Sequence, residues 1–189
     1  MTHLDKQGFL AWAFDELLAN TTRGVLAEYI VATALGISGT KRVEWDKCDL
    51  YIDGVRVVDG VEVNDRVGVE VKSAAYVQAW PQTGPSVISF DIGPTKGWDA
   101  PTNTYAAIAS RCAVVYVFCL LTCTDREHVN PLDIAQWTFY VLSASELDRK
   151  VPTQKTIRLE PLKSLRPRQC KYDELKAAIY AAAAVNRGD

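Results

Sequence analysis

Glu70 and Lys72 are the residues whose types and spacing best suit chemistry. They lie in Val67-Gly68-Val69-Glu70-Val71-Lys72-Ser73, where valines alternate with Gly68, Glu70 and Lys72. A period of two is that of a pleated strand, so the acid and the base project from one face, about 6–7 Å apart. Asp49 opens an apolar run, Leu50-Tyr51-Ile52, that reads as a neighbouring strand. Carboxylates on adjacent strands come within about 5 Å of each other. Two such acids, with the Val71 carbonyl between Glu70 and Lys72 as a further donor, form a hard-oxygen set suited to Mg²⁺. Lys72 then stands where its ammonium can orient a metal-activated water and offset charge on a phosphate. An ordinary Glu70–Lys72 ion pair is the alternative reading of the same residues.

The acid-x-lysine pattern alone discriminates poorly. It recurs at Asp148-Arg149-Lys150 and Glu174-Leu175-Lys176, both in helical segments without an upstream acid strand. Asp46 competes with Asp49, but only Asp49 leads directly into the apolar strand. His3 and His128 have no evident partners in sequence, and no Gly-rich phosphate loop, GxSxG or HExxH motif occurs. Lys41, Arg42, Lys47, Arg56, Arg66 and Lys96 are candidates to line a phosphate path. Trp80, Trp98 and Tyr105 are candidates to stack on bases.

The elements that must position these groups follow from periodicity and turn signals. Asp5 to Ala19 carries Phe9, Leu10, Trp12, Ala13 and Leu17 at helical spacings. Asn20-Thr21-Thr22 separates it from a second helix, Arg23 to Leu35, ended by Gly36. That helix is apolar nearly all round, with Glu28 the one charge in its middle, so it is expected to be buried. A meander follows: Lys41 to Trp45 extended, Cys48 to Ile52 a strand, Asp53-Gly54 a hairpin turn, then Val55 to Val58. Asp59-Gly60 and Asn64-Asp65 offer two further turns before the Val67 strand. Ser73 to Trp80 loses the alternation, and residues 81–104 read as a long functional loop with a small strand at Val87 to Ile92. Ala106 to Ser110 reads as a helical turn. Ala113 to Leu121 is apolar throughout, as expected for a strand buried on both faces. Trp137 to Leu142 is a further strand, Ser143-Ala144-Ser145-Glu146 a capping box opening a short helix, Ile157 to Leu159 an edge strand, and Asp173 to Val185 a final helix.

With 189 residues, 48% of them hydrophobic, the chain reads as one α/β domain, residues 1–189, able to bury a core without staples. A net charge of -2 gives no global attraction to nucleic acid, so DNA binding requires a local basic groove. The five cysteines contain no CxxC pair and are expected as buried free thiols. No signal-like leader or membrane-length apolar run is present, which suggests a cytoplasmic protein without a membrane partner.

These residues resemble the PD-(D/E)XK nuclease superfamily. The likeness runs through Glu44-Trp45-Asp46, Asp49-Leu50, Glu70-Val71-Lys72-Ser73 and Tyr76-Val77-Gln78-Ala79-Trp80, and extends to the Trp137 strand and Tyr172-Asp173-Glu174-Leu175. Lys47-Cys48-Asp49 departs from the pattern by lacking its proline. The resemblance implies a restriction-endonuclease-like αβββαβ core, with a mixed central sheet flanked by helices. It implies a metal-dependent deoxyribonuclease using Mg²⁺, or Mn²⁺ in its place, and allows a homodimer on DNA. Asp49, Glu70 and Val71 become metal ligands and Lys72 the catalytic lysine. Glu28 becomes the helix acid holding a metal water, and Gln78 a polar helper. A catalytically inactive nucleic-acid-binding or accessory module on the same fold is the alternative.

Overall fold

The computed structural model describes residues 3–44, 46–58, 61–99 and 102–185. Trp45, part of the family-like motif, and the Asp59-Gly60 turn lie outside the described residues, as does the side chain of Arg56. The elements are α1 (Lys6–Phe14), α2 (Asn20–Leu35), β1 (Leu50–Val58), β2 (Val61–Ala75), β3 (Ser89–Asp91), β4 (Trp98–Asp99), β5 (Thr104–Tyr105) and β6 (Val115–Leu121). They continue with β7 (Trp137–Ser143), α3 (Ala144–Lys150), β8 (Thr156–Arg158), α4 (Leu159–Ser164), β9 (Arg168–Cys170) and α5 (Tyr172–Val185).

A five-stranded mixed sheet in the order β1-β2-β6-β7-β9 is the centre of the fold. β1 and β2 are antiparallel, β2 and β6 parallel, and β7 runs antiparallel to both β6 and β9. One face carries Ile52, Val69, Val71, Val117 and Phe139 against Ala27 and Val31 of α2 and Leu175 and Ile179 of α5. The other carries Ala74, Phe118, Leu120 and Tyr140 against Phe90 of β3, Leu147 of α3, Ile157 of β8 and Leu162 of α4. β6 and β7 are buried along their whole length because both faces are covered. α2 ends as expected, at Gly36 with φ 80°, where the left-handed backbone favours glycine. Ser143 Oγ accepts from Glu146 N–H and caps α3.

Several expectations are corrected. The first helix is confined to Lys6–Phe14, with Asp5 as its N-cap and no buried residue. Asn20 to Thr22 form the first turn of α2 rather than separating two helices. Asp53-Gly54 and Asn64-Asp65 are not turns: nine successive pairs, from Leu50↔Val69 to Val58↔Val61, carry both strands straight through them. Gly54 and Asp65 face each other in that ladder, which continues past both dipeptides. Lys41 to Glu44 form no strand, and Ala106 to Ser110 no helical turn. β8 pairs with β3 in a separate two-stranded sheet instead of edging the main one.

The parallel β2–β6 connection contains no helix among its described residues; it runs through β3, β4 and β5. That part of the expected αβββαβ order is therefore replaced by extended chain. Arg111 pins this crossover, with Nε on the Ile92 carbonyl, Nη1 on Asp148, and Nη2 on the Val151 and Gln154 carbonyls. Cys48, Cys119 and Cys170 are buried thiols as expected, whereas Cys112 and Cys123 are only partly covered. Among the described residues no helix is long and apolar enough to cross a membrane.

Candidate functional site

The strand β2 positions the site because its two faces differ. Val67, Val69 and Val71 turn toward α2 and α5, which leaves Glu70 and Lys72 on the opposite face. Their side chains pair there, Lys72 Nζ to Glu70 Oε1 at 2.6 Å, both mostly covered. Asp49 lies one residue before the Leu50↔Val69 pair and so stands beside Glu70 across the hairpin. Its Oδ2 accepts the Val71 N–H at 2.7 Å. In an antiparallel strand the N–H and C=O of one residue point to the same side. The Val71 carbonyl therefore faces the same edge as Asp49.

The entry into β1 depends on close approach. A Cβ on Gly68 would collide with Cys48 Sγ and come within 3.5 Å of the Ala113 Cα. With the Cys48 side chain in this place, position 68 accommodates only glycine, and the packing of Cys48 on β2 precedes Asp49 directly.

The electrostatics record a crowd of negative charge. Burial, then Glu70, then Glu28 push the Asp49 carboxyl up, to about 7, against the opposing Val71 N–H and Lys72. Burial works against the Lys72 ammonium, yet Glu70, Asp49 and Asp91 outweigh it and hold its pKa above the ordinary range. Burial followed by Glu70 raises the Cys48 thiol to about 12, and the same two causes raise the Tyr116 hydroxyl. Asp91, from β3, is a member of this neighbourhood that the sequence did not single out. Only the register of a three-residue strand across the crossover brings it there.

Glu28 approaches from another direction. α2 packs on the face away from Glu70 and Lys72, and Glu28 lines the same cleft as Asp49 and acts on it through its charge. Its carboxylate is held by Arg42, with Nε to Oε2 at 2.5 Å and Nη2 to Oε1 at 3.0 Å. Glu28, Arg42, Asp49, Lys41 and Arg66 line a cleft of about 530 Å³ along this edge. Arg66 lies over the Tyr51 ring, 4.1 Å from its centroid. Gln78 is not brought to the acids. It is buried, accepts from Arg23 Nη1 at 3.2 Å and donates to the Ala75 carbonyl at 2.7 Å, fixing the loop after β2.

The remaining candidates divide similarly. Asp46 accepts the Lys47 N–H, while Asp49 is the aspartate on Val71. Lys96 is exposed. Trp98 pairs with Tyr105 across β4 and β5 and donates to Asn103, Tyr105 is 71% exposed, and Trp80 is half exposed. His128 does have a partner, Asp125 at 2.6 Å, on the open surface.

Among the described residues no three His, Cys, Asp or Glu side chains gather as a metal-binding group. The expected donor set is smaller, two carboxylates and a carbonyl, and fits a cation that retains most of its waters, as Mg²⁺ does. The crowding of Asp49 by Glu70 and Glu28 suits such a cation. Comparison with protein-family models, curated proteins and solved structures gives no significant match to this chain.

Proposed function

We propose that this protein is a divalent-metal-dependent deoxyribonuclease with a restriction-endonuclease-like core, centred on Asp49, Glu70 and Lys72. The observation that carries this reading is Asp49 accepting the Val71 N–H just before β1, where burial and the Glu70 charge make it hard to ionise. A carboxylate in that condition is stabilised by a nearby cation. Asp49, Glu70 and the Val71 carbonyl hold Mg²⁺, and Mn²⁺ substitutes. The bound ion supplies Lewis acidity and an acidified water for phosphodiester hydrolysis.

The chain's own residues do the rest. Lys72 donates from Nζ to an oxygen of the scissile phosphate and offsets the charge that grows there. Lys41, Arg42 and Arg66 in the adjoining cleft contact neighbouring phosphates. Cleavage of both strands of a duplex calls for two such centres, hence a homodimer on that substrate. A second reading, an inactive DNA-binding module, is favoured by the closed Glu70–Lys72 and Glu28–Arg42 pairs.

Incubation of supercoiled plasmid and labelled single strands with Mg²⁺, Mn²⁺ or EDTA tests the proposal. Cleavage is expected with either metal, absent in EDTA, and reduced by about 100-fold or more in Lys72→Ala and Glu70→Ala. Cleavage that survives both substitutions overturns the assignment of the centre. No cleavage in wild type, with no Mn²⁺ binding by calorimetry, establishes the binding module instead.

A further inference from the structure

Arg23 and Arg111 are both buried, and they differ in how their charge is met. Arg111 is offset by Asp148 and surrounded by carbonyls. Arg23, only 4% exposed, has no acidic partner among the described residues. Its contacts are neutral: the Leu18 carbonyl, Gln78 Oε1 and Asn20 Oδ1. A guanidinium has five N–H groups; these three bonds leave Nε–H without an acceptor. Burial alone lowers the Arg23 pKa, with no neighbouring charge to counter it.

The position compounds the cost. Arg23 lies in the first turn of α2, a 16-residue helix whose N-cap, Ala19, provides no side-chain acceptor. The positive end of the helix dipole and a buried cation are thus superposed, an arrangement that disfavours itself and favours an anion. Beside them is a cavity of about 310 Å³, walled by Asn20, Arg23, Ser73, Gln78, Ser86 and Ser89. Ser86 Oγ already accepts from Gln82 Nε2, which leaves its hydroxyl proton free to donate. Ser73, Ala74 and Ala75 place the cavity at the C-terminal end of β2, past Lys72 along the strand. Arg126 braces the same wall, bonding the Gln78 and Trp80 carbonyls.

We infer that this cavity is a binding site for a phosphoryl oxyanion, with Arg23 as its countercharge and the serine hydroxyls as further donors. Two sources supply that group: the terminal phosphate of a nucleic-acid strand, or free inorganic phosphate. Only the first rests on the nuclease reading. With a strand end as ligand, Trp80 at the rim is placed to stack on the terminal base.

The test uses the full chain in EDTA, so that cleavage plays no part. In wild type, about 10 mM inorganic phosphate is expected to raise Tm by about 2–4 °C over chloride of equal ionic strength. Arg23→Gln removes the response. Because that variant is exposed to misfolding, Ser89→Asp is the second arm: it places a carboxylate in the cavity from an exposed strand position, and is expected to fold, to be at least as stable as wild type and to lose the phosphate response. A strand with a 5′- or 3′-terminal phosphate is expected to bind wild type about fivefold or more tighter than one ending in hydroxyls, and Ser89→Asp to erase the difference. No Tm response in wild type, or an equal response in Ser89→Asp, overturns the site. A response to phosphate without an end-group preference keeps the site and assigns it to free phosphate. Phosphate binding without any metal-dependent cleavage removes the nuclease reading while leaving the site intact.

Discussion

Asp49 is the residue on which stability and the proposed chemistry conflict. Its folded pKa of about 7 lies above the ordinary value of 3.8, so the native state retains a proton that the unfolded chain releases. The sign follows: this group's contribution falls as pH rises from about 4 to about 7, and its cost is complete above 7. Asp49→Asn keeps an oxygen for the Val71 N–H and removes the charge. In metal-free buffer at pH 8 the variant is expected to be more stable than wild type, by on the order of 1–3 kcal/mol, read as a rise in Tm. At pH 5 the two should nearly coincide. Mn²⁺ at pH 8 should then raise Tm for wild type and leave Asp49→Asn unchanged. An Asp49→Asn protein less stable than wild type at pH 8 contradicts the account of crowded charge. Glu70 and Lys72 were legible because a strict alternation of valine and polar residue fixes a strand face. Arg23 was not: a lone arginine in an apolar helix gives no sign in sequence of whether an acid will meet it.

At the scale of elements, long apolar strands were legible and local turn chemistry misled. Ala113 to Leu121 and Trp137 to Leu142 carry enough uninterrupted apolar side chains to declare themselves. Asp53-Gly54 and Asn64-Asp65 have good turn composition, but a nine-pair ladder outweighs two local preferences. The short strands β3 and β8 were legible as strands at Val87 to Ile92 and Ile157 to Leu159, but their pairing with each other was not, and β9 is below the length at which periodicity shows. The Gly68 contact shows how one element fixes another. Gly68→Ala should displace Cys48 and with it Asp49, costing about 1–3 kcal/mol in urea unfolding. Removing the obstructing sulfur in Gly68→Ala/Cys48→Ala should recover much of that loss, so the pair is expected to be strongly non-additive. Simple additivity would mean that the glycine serves some other need.

The whole molecule places its cohesion and its candidate chemistry in different parts. The sheet is held between α2 and α5 on one face and the β3, β8, α3 and α4 layer on the other, and both cores draw on β6 and β7. The acids and Lys72 lie on the β1–β2 side of that sheet, mostly covered. α1 belongs to neither core. Its apolar side chains stand at helical spacings, yet Trp12 is 82% exposed and Phe9 is exposed too. Apolar periodicity reports what a helix could bury and carries no information on whether a partner surface exists within the same fold. A helix without buried residues adds little to the folding free energy, since burial of apolar area is the main favourable term. Deletion of residues 1–14 is therefore expected to shift Tm by no more than about 2 °C and to leave the urea midpoint nearly unchanged. Leu18 must be retained, because it packs on the α2 side of the core. A large loss of stability in the truncated chain would show that α1 is held against the sheet layers in solution.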